Sequence, residues 1–463
     1  MDGHSPLKTP ATPTTLGWRA LRDGYLPMLL SFVLAQVSLQ IDLITLARVS
    51  NVQQVAYVAL MRIGLVDIVL TMALGSVAGL VIARARQTGA QAQAVAVTMT
   101  AALACGALLM PLGMLCYPAL ARALIADGAV AAEIAHAAPW FALAAPLRCL
   151  AAAGAFALLA LGMGRTLTAW KLAEIGIKAA TTGIAVLWLG LGLAGCYLAS
   201  LGVLAASCGW QAWCLRAPLR SGLAALATQP MLAYVRQAGW EGARMLSTHL
   251  FALATVVLFA CATLGADVPA RLGALAAGTA LSMLLLAPLT AWMRYLGTTL
   301  SARNDADRQA ALHGAVIPGL SLALLVALTL VAGGPVLGQW MYAQSGPWWQ
   351  AFVTTLAVAL PLKYLSTLAR ADLQAAQRLA LAFRADFLAA WLVGLPMAAA
   401  GLALDLPWLA FGNMVLMELA WLGWYLTSRY RLMHEGDREA GGAAGRMVEG
   451  CGTRQREGLK PPP

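Results

Sequence analysis

Twelve ionisable side chains sit where the surrounding apolar residues predict hydrocarbon: Asp42, Asp67, Glu174, Asp372 and Glu418; Arg62, Arg148, Lys178, Arg294, Lys363 and Arg370; and His249. An uncompensated charge at the centre of a membrane helix costs at least about 2.5 to 3.5 kcal/mol, so each needs a partner or a water-filled cavity. Asp42 and Arg62 fall about five and eight residues from the same end of consecutive antiparallel spans, so they are placed to meet. A permanent pair would keep Asp42 charged and suppress proton exchange. Asp42 therefore reads either as a proton carrier or as a structural partner of Arg62. Asp67, five residues past Arg62, points about 140° away and serves another neighbour. Lys171, Glu174 and Lys178 share one helix face at i, i+3, i+7 and read as a partly self-neutralising ladder, or as cavity-lining groups. Arg370 and Asp372 are two apart, hence on different faces. His249 titrates in the useful range, or is a hydrogen-bonded core residue. The in-span cations are not outnumbered by acids, which argues against a pocket for cationic drugs and points to anionic or zwitterionic cargo.

Enzyme chemistry is poorly represented. There is no Gly-rich phosphate loop, H-E-x-x-H or Gly-x-Ser-x-Gly, and the histidines at 4, 136, 249, 313 and 434 are dispersed. The eight cysteines include no C-x-x-C, so neither a metal site nor a cofactor is expected, and they read as ordinary helix residues. A membrane-embedded enzyme remains a remote alternative.

The elements that must hold these side chains follow from composition. Of 463 residues 60% are hydrophobic and 11% charged, and mean hydropathy is +0.74. Apolar runs of bilayer-spanning length predict a polytopic all-α membrane protein. Twelve spans are expected at about 25–47, 54–83, 93–118, 135–160, 167–189, 193–215, 242–264, 270–299, 311–332, 347–375, 382–403 and 407–427. With both termini on one side, 22 of the 31 Lys and Arg lie there and three, Arg48, Arg122 and Arg271, lie opposite. That bias puts both termini in the cytoplasm of a cell with the chain in its plasma (inner) membrane, and it makes the net charge of +11 a topology signal rather than a nucleic-acid surface. No cleavable signal is expected in residues 1–23, and residues 428–463 read as a disordered cytoplasmic tail. Trp340, Tyr342, Trp348 and Trp349 read as an interfacial aromatic belt.

The chain also repeats itself. Ala145-Pro146-Leu147-Arg148 is echoed 215 residues later by Leu360-Pro361-Leu362-Lys363, and basic linkers follow at nearly the same offset. This predicts a six-helix lobe over 24–215, a linker with four loop-type breakers over 216–240, and a second lobe over 241–427. An even number of spans between copies relates the lobes by a pseudo-two-fold axis along the membrane normal, with substrate between them.

Ile41-Asp42-Leu43, Gly75 and Gly79 ahead of a basic turn ending Thr88-Gly89, Leu161-Gly162-Met163-Gly164-Arg165, Gly190, Gly192 and Gly195, and Gly394-Leu395-Pro396 together resemble the multidrug and toxic compound extrusion (MATE) family of the wider flippase superfamily. The resemblance implies a secondary active exporter of a small organic or amphiphilic solute, acting as a monomer, with Asp42 as the cation-coupling residue. His249 and Lys363 stand where sodium-coupled relatives carry acids, so the resemblance implies a proton gradient rather than sodium. Arg62, Asp67, Arg148, Glu174, Lys178, His249, Arg294 and Lys363 are the candidate cavity residues. The alternative within the superfamily is a lipid or lipid-linked saccharide flippase, for which Arg148 and Lys363 would suit phosphate.

Overall fold

The computed structural model describes residues 21–125, 128–226, 228–261, 263–264, 267–342 and 344–428. The expectations for residues 1–20 and 429–463, and for Tyr342 in the aromatic belt, fall outside the residues and side chains described. Helices account for nearly all of the described chain: α1 (Leu26–Ala47), α2 (Asn51–Ile63), α3 (Leu65–Ala85), α4 (Gln91–Leu124), α5 (Gly128–Leu143), α6 (Ala145–Ala160), α7 (Gly164–Gly183), α8 (Gly192–Cys214), α9 (Arg216–Leu223), α10 (Thr228–Ala260), α11 (Val268–Ser301), α12 (Asp305–Leu337), α13 (Pro347–Ala375), α14 (Leu379–Leu388), α15 (Leu395–Ala403) and α16 (Pro407–Ser428).

Nine helical runs are long and apolar enough to cross a bilayer among the described residues, α14 and α15 forming one of them, and the pair α5/α6 makes a tenth with a 48° bend. Pro146 opens α6 and accounts for that bend. The remaining two runs are α1, whose apolar stretch is Val37–Leu46, and α7, which Lys171, Glu174 and Lys178 make too polar to register. Gly64 separates α2 from α3, where a Cβ would lie 2.5 Å from the Phe141 ring. The protein is thus a multi-pass all-α membrane protein, and twelve successive runs return the chain to the end it left. That end is called inner below.

The repeat is visible in the backbone. Gly162 (φ +81) and Gln377 (φ +57) are 215 residues apart, and both terminate a helix in the left-handed conformation. In each case the next residue's N–H reaches back five residues, Met163 to Leu158 and Arg378 to Leu373. Gly190 and Asp405, again 215 apart, repeat the device at the other end of the following run.

The seventh run extends well beyond its apolar stretch. α10 starts at Thr228, and α9 fills Arg216–Leu223, so most of the segment expected to connect the lobes is helical. Pro230 sits in the first turn of α10, where its missing N–H costs nothing. The inner half of α10 is buried in the first lobe's core, with Tyr234 and Ala238 packed among Leu74, Val77 and Val95. Trp348 and Trp349 are also core residues, packed with Phe259, Phe352 and Phe411; Trp349 donates to the Gly334 carbonyl at 2.9 Å. The belt expectation fails for both because they open α13 on its buried face, whereas Trp340 is 87% exposed.

Candidate functional site

Three sets of charges are built into the bundle. In the first lobe, a cavity of about 300 Å³ is lined by Asp42, Tyr57, Arg148, Lys171, Glu174 and Lys178 among others. Asp42 projects from the outer part of α1 and is buried. Its Oδ1 lies 2.9 Å from Lys178 Nζ on α7. Tyr57 of α2 donates to Oδ2 at 3.1 Å and Thr182 donates to Oδ1 at 3.4 Å. Lys178 also donates to the Cys196 carbonyl at 3.3 Å and to the Ser200 hydroxyl. A buried carboxylate with a lysine and two hydroxyls around it is a fully served ion. Arg62 is not its partner: it is exposed, on the opposite side of α2 from Tyr57. The two lie five residues apart, which turns them about 140° from each other.

The expected ladder on α7 divides. Lys171 contacts both Glu174 oxygens at 2.9 and 2.8 Å, and Ser207 donates to Glu174 at 2.8 Å, while Lys178 turns to Asp42. Below the cavity, Asp67 of α3 pairs with Arg148 of α6. The Arg148 guanidinium lies 4.1 Å from the Phe141 ring centroid and donates to the Phe141 carbonyl at 2.7 Å.

The second lobe holds a continuous chain of alternating charge. Glu241 is fully buried and receives Arg244 at 2.9 and 2.8 Å, with Arg294 of α11 also paired to it. Arg244 bridges to Asp386 of α14 at 3.2 Å, and Arg370 of α13 continues from Asp386 at 2.9 Å to Glu418 of α16 at 3.1 Å. Lys363 closes the chain on Glu418 at 2.9 Å. Asp372, on the other face of α13, takes Arg308 at 2.8 Å and the Tyr425 hydroxyl at 2.7 Å. Glu241, Asp386 and Arg308 were not among the candidate residues. The i, i+3 spacing of Glu241 and Arg244 is the signal that marks the first of them.

Among the described residues, the side-chain hydrogen bonds between the lobes lie towards the inner side. Tyr234 donates to the Leu74 carbonyl at 2.7 Å, Ser301 to the Leu80 carbonyl at 3.4 Å, and Tyr25 to the Pro288 carbonyl at 3.2 Å. Met28 packs with Met293, Tyr295 and Leu296 in one cluster. On the outer side, His249 of α10 and Arg62 of α2 are both exposed. These two candidates are exposed, while the other six and Asp42 are each held inside one lobe. Among the described residues, no three His, Cys, Asp or Glu side chains gather as a metal site.

No protein-family model and no curated protein matches the sequence. Solved structures do. A MATE protein in a bent conformation superposes with a TM-score of 0.81 at 16% identity, over 91% of this chain and 97% of the other. The chain has the MATE fold. A mutant MATE transporter from Vibrio cholerae matches with a TM-score of 0.78 at 18% identity, over 89% of this chain and 96% of that one. A MOP superfamily transporter from Pyrococcus furiosus, described as having a binding pocket of reverse polarity that suggests a different function, matches with a TM-score of 0.77 at 16% identity, over 90% and 96%. The Asp42 cavity lies within the first lobe of this fold.

Proposed function

We propose that this chain is a secondary active transporter, exporting a small organic solute by alternating access and driven by proton exchange at Asp42. The observation that carries the reading is one-sided closure: the lobes join through Tyr234, Ser301 and Tyr25 on the inner side, and Arg62 and His249 stand exposed on the outer side. The excess of Lys and Arg on the inner side supports a cytoplasmic position for it, so the closed side faces the cytoplasm. Both lobes belong to one chain, which makes a monomer a sufficient transport unit.

The pair with Lys178 keeps Asp42 charged while it is closed, so proton exchange here requires the pair to open during transport, when a proton can take the place of the lysine on the carboxylate. The lysine keeps the Ser200 hydroxyl and the Cys196 carbonyl, so it has somewhere to stay. α1 then loses its ionic tie to α7. The same helix carries Met28 at the inner contact with α11, and Tyr25 immediately precedes it, so loosening its outer end shifts the balance between the two closed forms. Lys178 Nζ already occupies the carboxylate that a sodium ion would need, which favours the proton. The flippase alternative drew on Arg148 and Lys363; each is held by a carboxylate and offers little charge to a phosphate.

Inside-out vesicles with an acidic interior test the reading. A panel of organic anions and cations is added in turn while interior pH is followed. A solute that raises interior pH only in vesicles containing the protein supports proton-coupled export; a panel without any such response counts against it.

A further inference from the structure

The junction of α8 and α9 carries cations without acids. No Asp or Glu occurs between Glu174 and Glu241, and Arg216 and Arg220 both fall in that interval. Both are exposed on α9, and among the described residues neither has a carboxylate partner. Only Leu215 separates the two helices. The Leu215 N–H donates to the Gln211 carbonyl and the Leu219 N–H to the Leu215 carbonyl, which carries one helix face across the junction. That face is Trp213, Arg216, Arg220 and Leu223, spaced three, four and three residues apart. Trp213 is 68% exposed, and Leu223 is exposed as well. The Arg216 guanidinium lies 4.2 Å from the Trp213 ring centroid.

The other face of α9 holds this stripe in place. Leu215 is fully buried, and Leu219 packs beside it on the first lobe's core. Gly222 approaches the first turn of α4 so closely that a Cβ there would overlap the Ala92 carbonyl, and Gln93 donates to the Ala225 carbonyl at 2.9 Å. α4 starts at the inner end and α8 finishes there, so α9 lies where hydrocarbon gives way to headgroups. An exposed tryptophan at that level places its ring in the interface. Stacking on it uses the flat face of the Arg216 guanidinium and leaves the in-plane N–H donors free. Arg220 follows one turn later, about 5 to 6 Å away at Cβ, close enough for one tetrahedral phosphate to accept from both.

We propose that this face is a binding site for an anionic phospholipid, with Arg216 and Arg220 on its phosphate and Trp213 and Leu223 against the upper part of its acyl chains. Charge complementarity selects the occupant. Two guanidinia without acids, beside an apolar surface, match a lipid of net negative charge. A zwitterionic lipid brings an ammonium for which the stripe offers no acid, so it is disfavoured by repulsion as well as by weaker attraction. α9 immediately precedes α10, whose Tyr234 joins the lobes, so a bound lipid ties the start of the inter-lobe connection to the membrane surface.

Tryptophan quenching by brominated lipid tests the site. Full-length protein is reconstituted in phosphatidylcholine nanodiscs containing rising fractions of either dibrominated phosphatidylglycerol or dibrominated phosphatidylcholine. Subtracting the Trp213→Phe signal isolates Trp213 among the 15 tryptophans, and the phenyl ring still lets Arg216 stack. Half-quenching of Trp213 is expected at about a 25-fold lower fraction of the anionic lipid than of the zwitterionic one, roughly fivefold per arginine. Arg216→Gln/Arg220→Gln should bring that ratio near one. Arg84→Gln/Arg86→Gln, which removes the same charge from another exposed inner turn, should leave it largely unchanged. The site is overturned by a ratio near one in the wild type, by a ratio that survives Arg216→Gln/Arg220→Gln, or by an equal loss in Arg84→Gln/Arg86→Gln. A Trp213 signal that neither lipid quenches overturns it too. Reversal of the quenching by millimolar inorganic phosphate would make the ligand a free anion and overturn the lipid assignment.

Discussion

Replacing Lys178 with Met leaves Asp42 buried with only Tyr57 and Thr182 as donors, and the size of the penalty can be worked from the contact. Two unit charges 2.9 Å apart attract by roughly 6 kcal/mol at an effective dielectric of 20. Desolvating both ions offsets most of that attraction, so the intact pair contributes little. Removing one partner strands the other, at about 3 to 5 kcal/mol. With an unfolding entropy of about 2.1 cal/mol/K per residue, a cooperative unit of roughly 400 residues loses about 4 to 6 °C in Tm. Asp42→Asn strands Lys178 and should cost a similar amount. The double variant Asp42→Asn/Lys178→Met removes both ions and should recover most of the loss. Arg62→Gln, at an exposed position, should move Tm by less than about 1 °C and should be additive with Asp42→Asn. Thermal melting of the five purified variants, Asp42→Asn/Arg62→Gln included, in one detergent decides the matter. Additive losses for Asp42 and Lys178, or recovery when Arg62 rather than Lys178 is changed with Asp42, would refute the pairing.

Glu418→Gln strands both Lys363 and Arg370 and should lower Tm by about 4 °C or more, whereas Lys363→Met leaves Glu418 with Arg370 and Ser366 and should cost about a third as much; the same melting assay compares them. Arg271 is fully buried and donates to the carbonyls of Phe259, Cys261 and Leu264, closing the outer end of α10. Arg271→Lys keeps the charge but not the fork of donors, so it should cost about 2 to 3 kcal/mol, read as a fall in Tm and faster proteolysis at 261–267. Leu80→Cys with Ser301→Cys, joined by a short bismaleimide in a background lacking exposed cysteine, should hold the inner contact shut and stop transport, while either single variant treated alike should transport normally.

Much of this was legible in the sequence, and the parts that were not share a cause. Which residues carry charge into the membrane follows from composition alone, and the 215-residue repeat reappears in the left-handed turns at Gly162 and Gln377. Helical periodicity says which face a side chain occupies but not which neighbour that face meets. Asp42 and Arg62 have compatible depths, yet Tyr57 and Arg62 lie on opposite faces of α2, so the α2 residue that reaches Asp42 is Tyr57. The ladder on α7 fails as a unit for the same reason: Lys178 sits one turn nearer the outer surface, where α1 supplies a carboxylate. Trp348 and Trp349 follow a loop at the membrane surface and look interfacial in one dimension, but tertiary packing turns both into the second lobe. Glu241 and Arg244 lie midway along a long helix whose polar inner half carries the chain up to the apolar stretch, and the expected span at 242–264 put both at its boundary.

The measurement that bears most directly on proton-driven alternating access needs no substrate. Spin labels at Val55 and Val257, exposed on the outer parts of α2 and α10, report the width of the cleft by double electron–electron resonance in liposomes. In the wild type, lowering the pH from 8 to 5 should shift the distribution from long distances towards short ones, as a proton replaces Lys178 on Asp42 when the pair opens during the cycle. In the stable Asp42→Asn/Lys178→Met variant the distribution should not respond to pH. A wild-type response in that variant, or none in the wild type, would contradict the assignment of Asp42 as the proton switch.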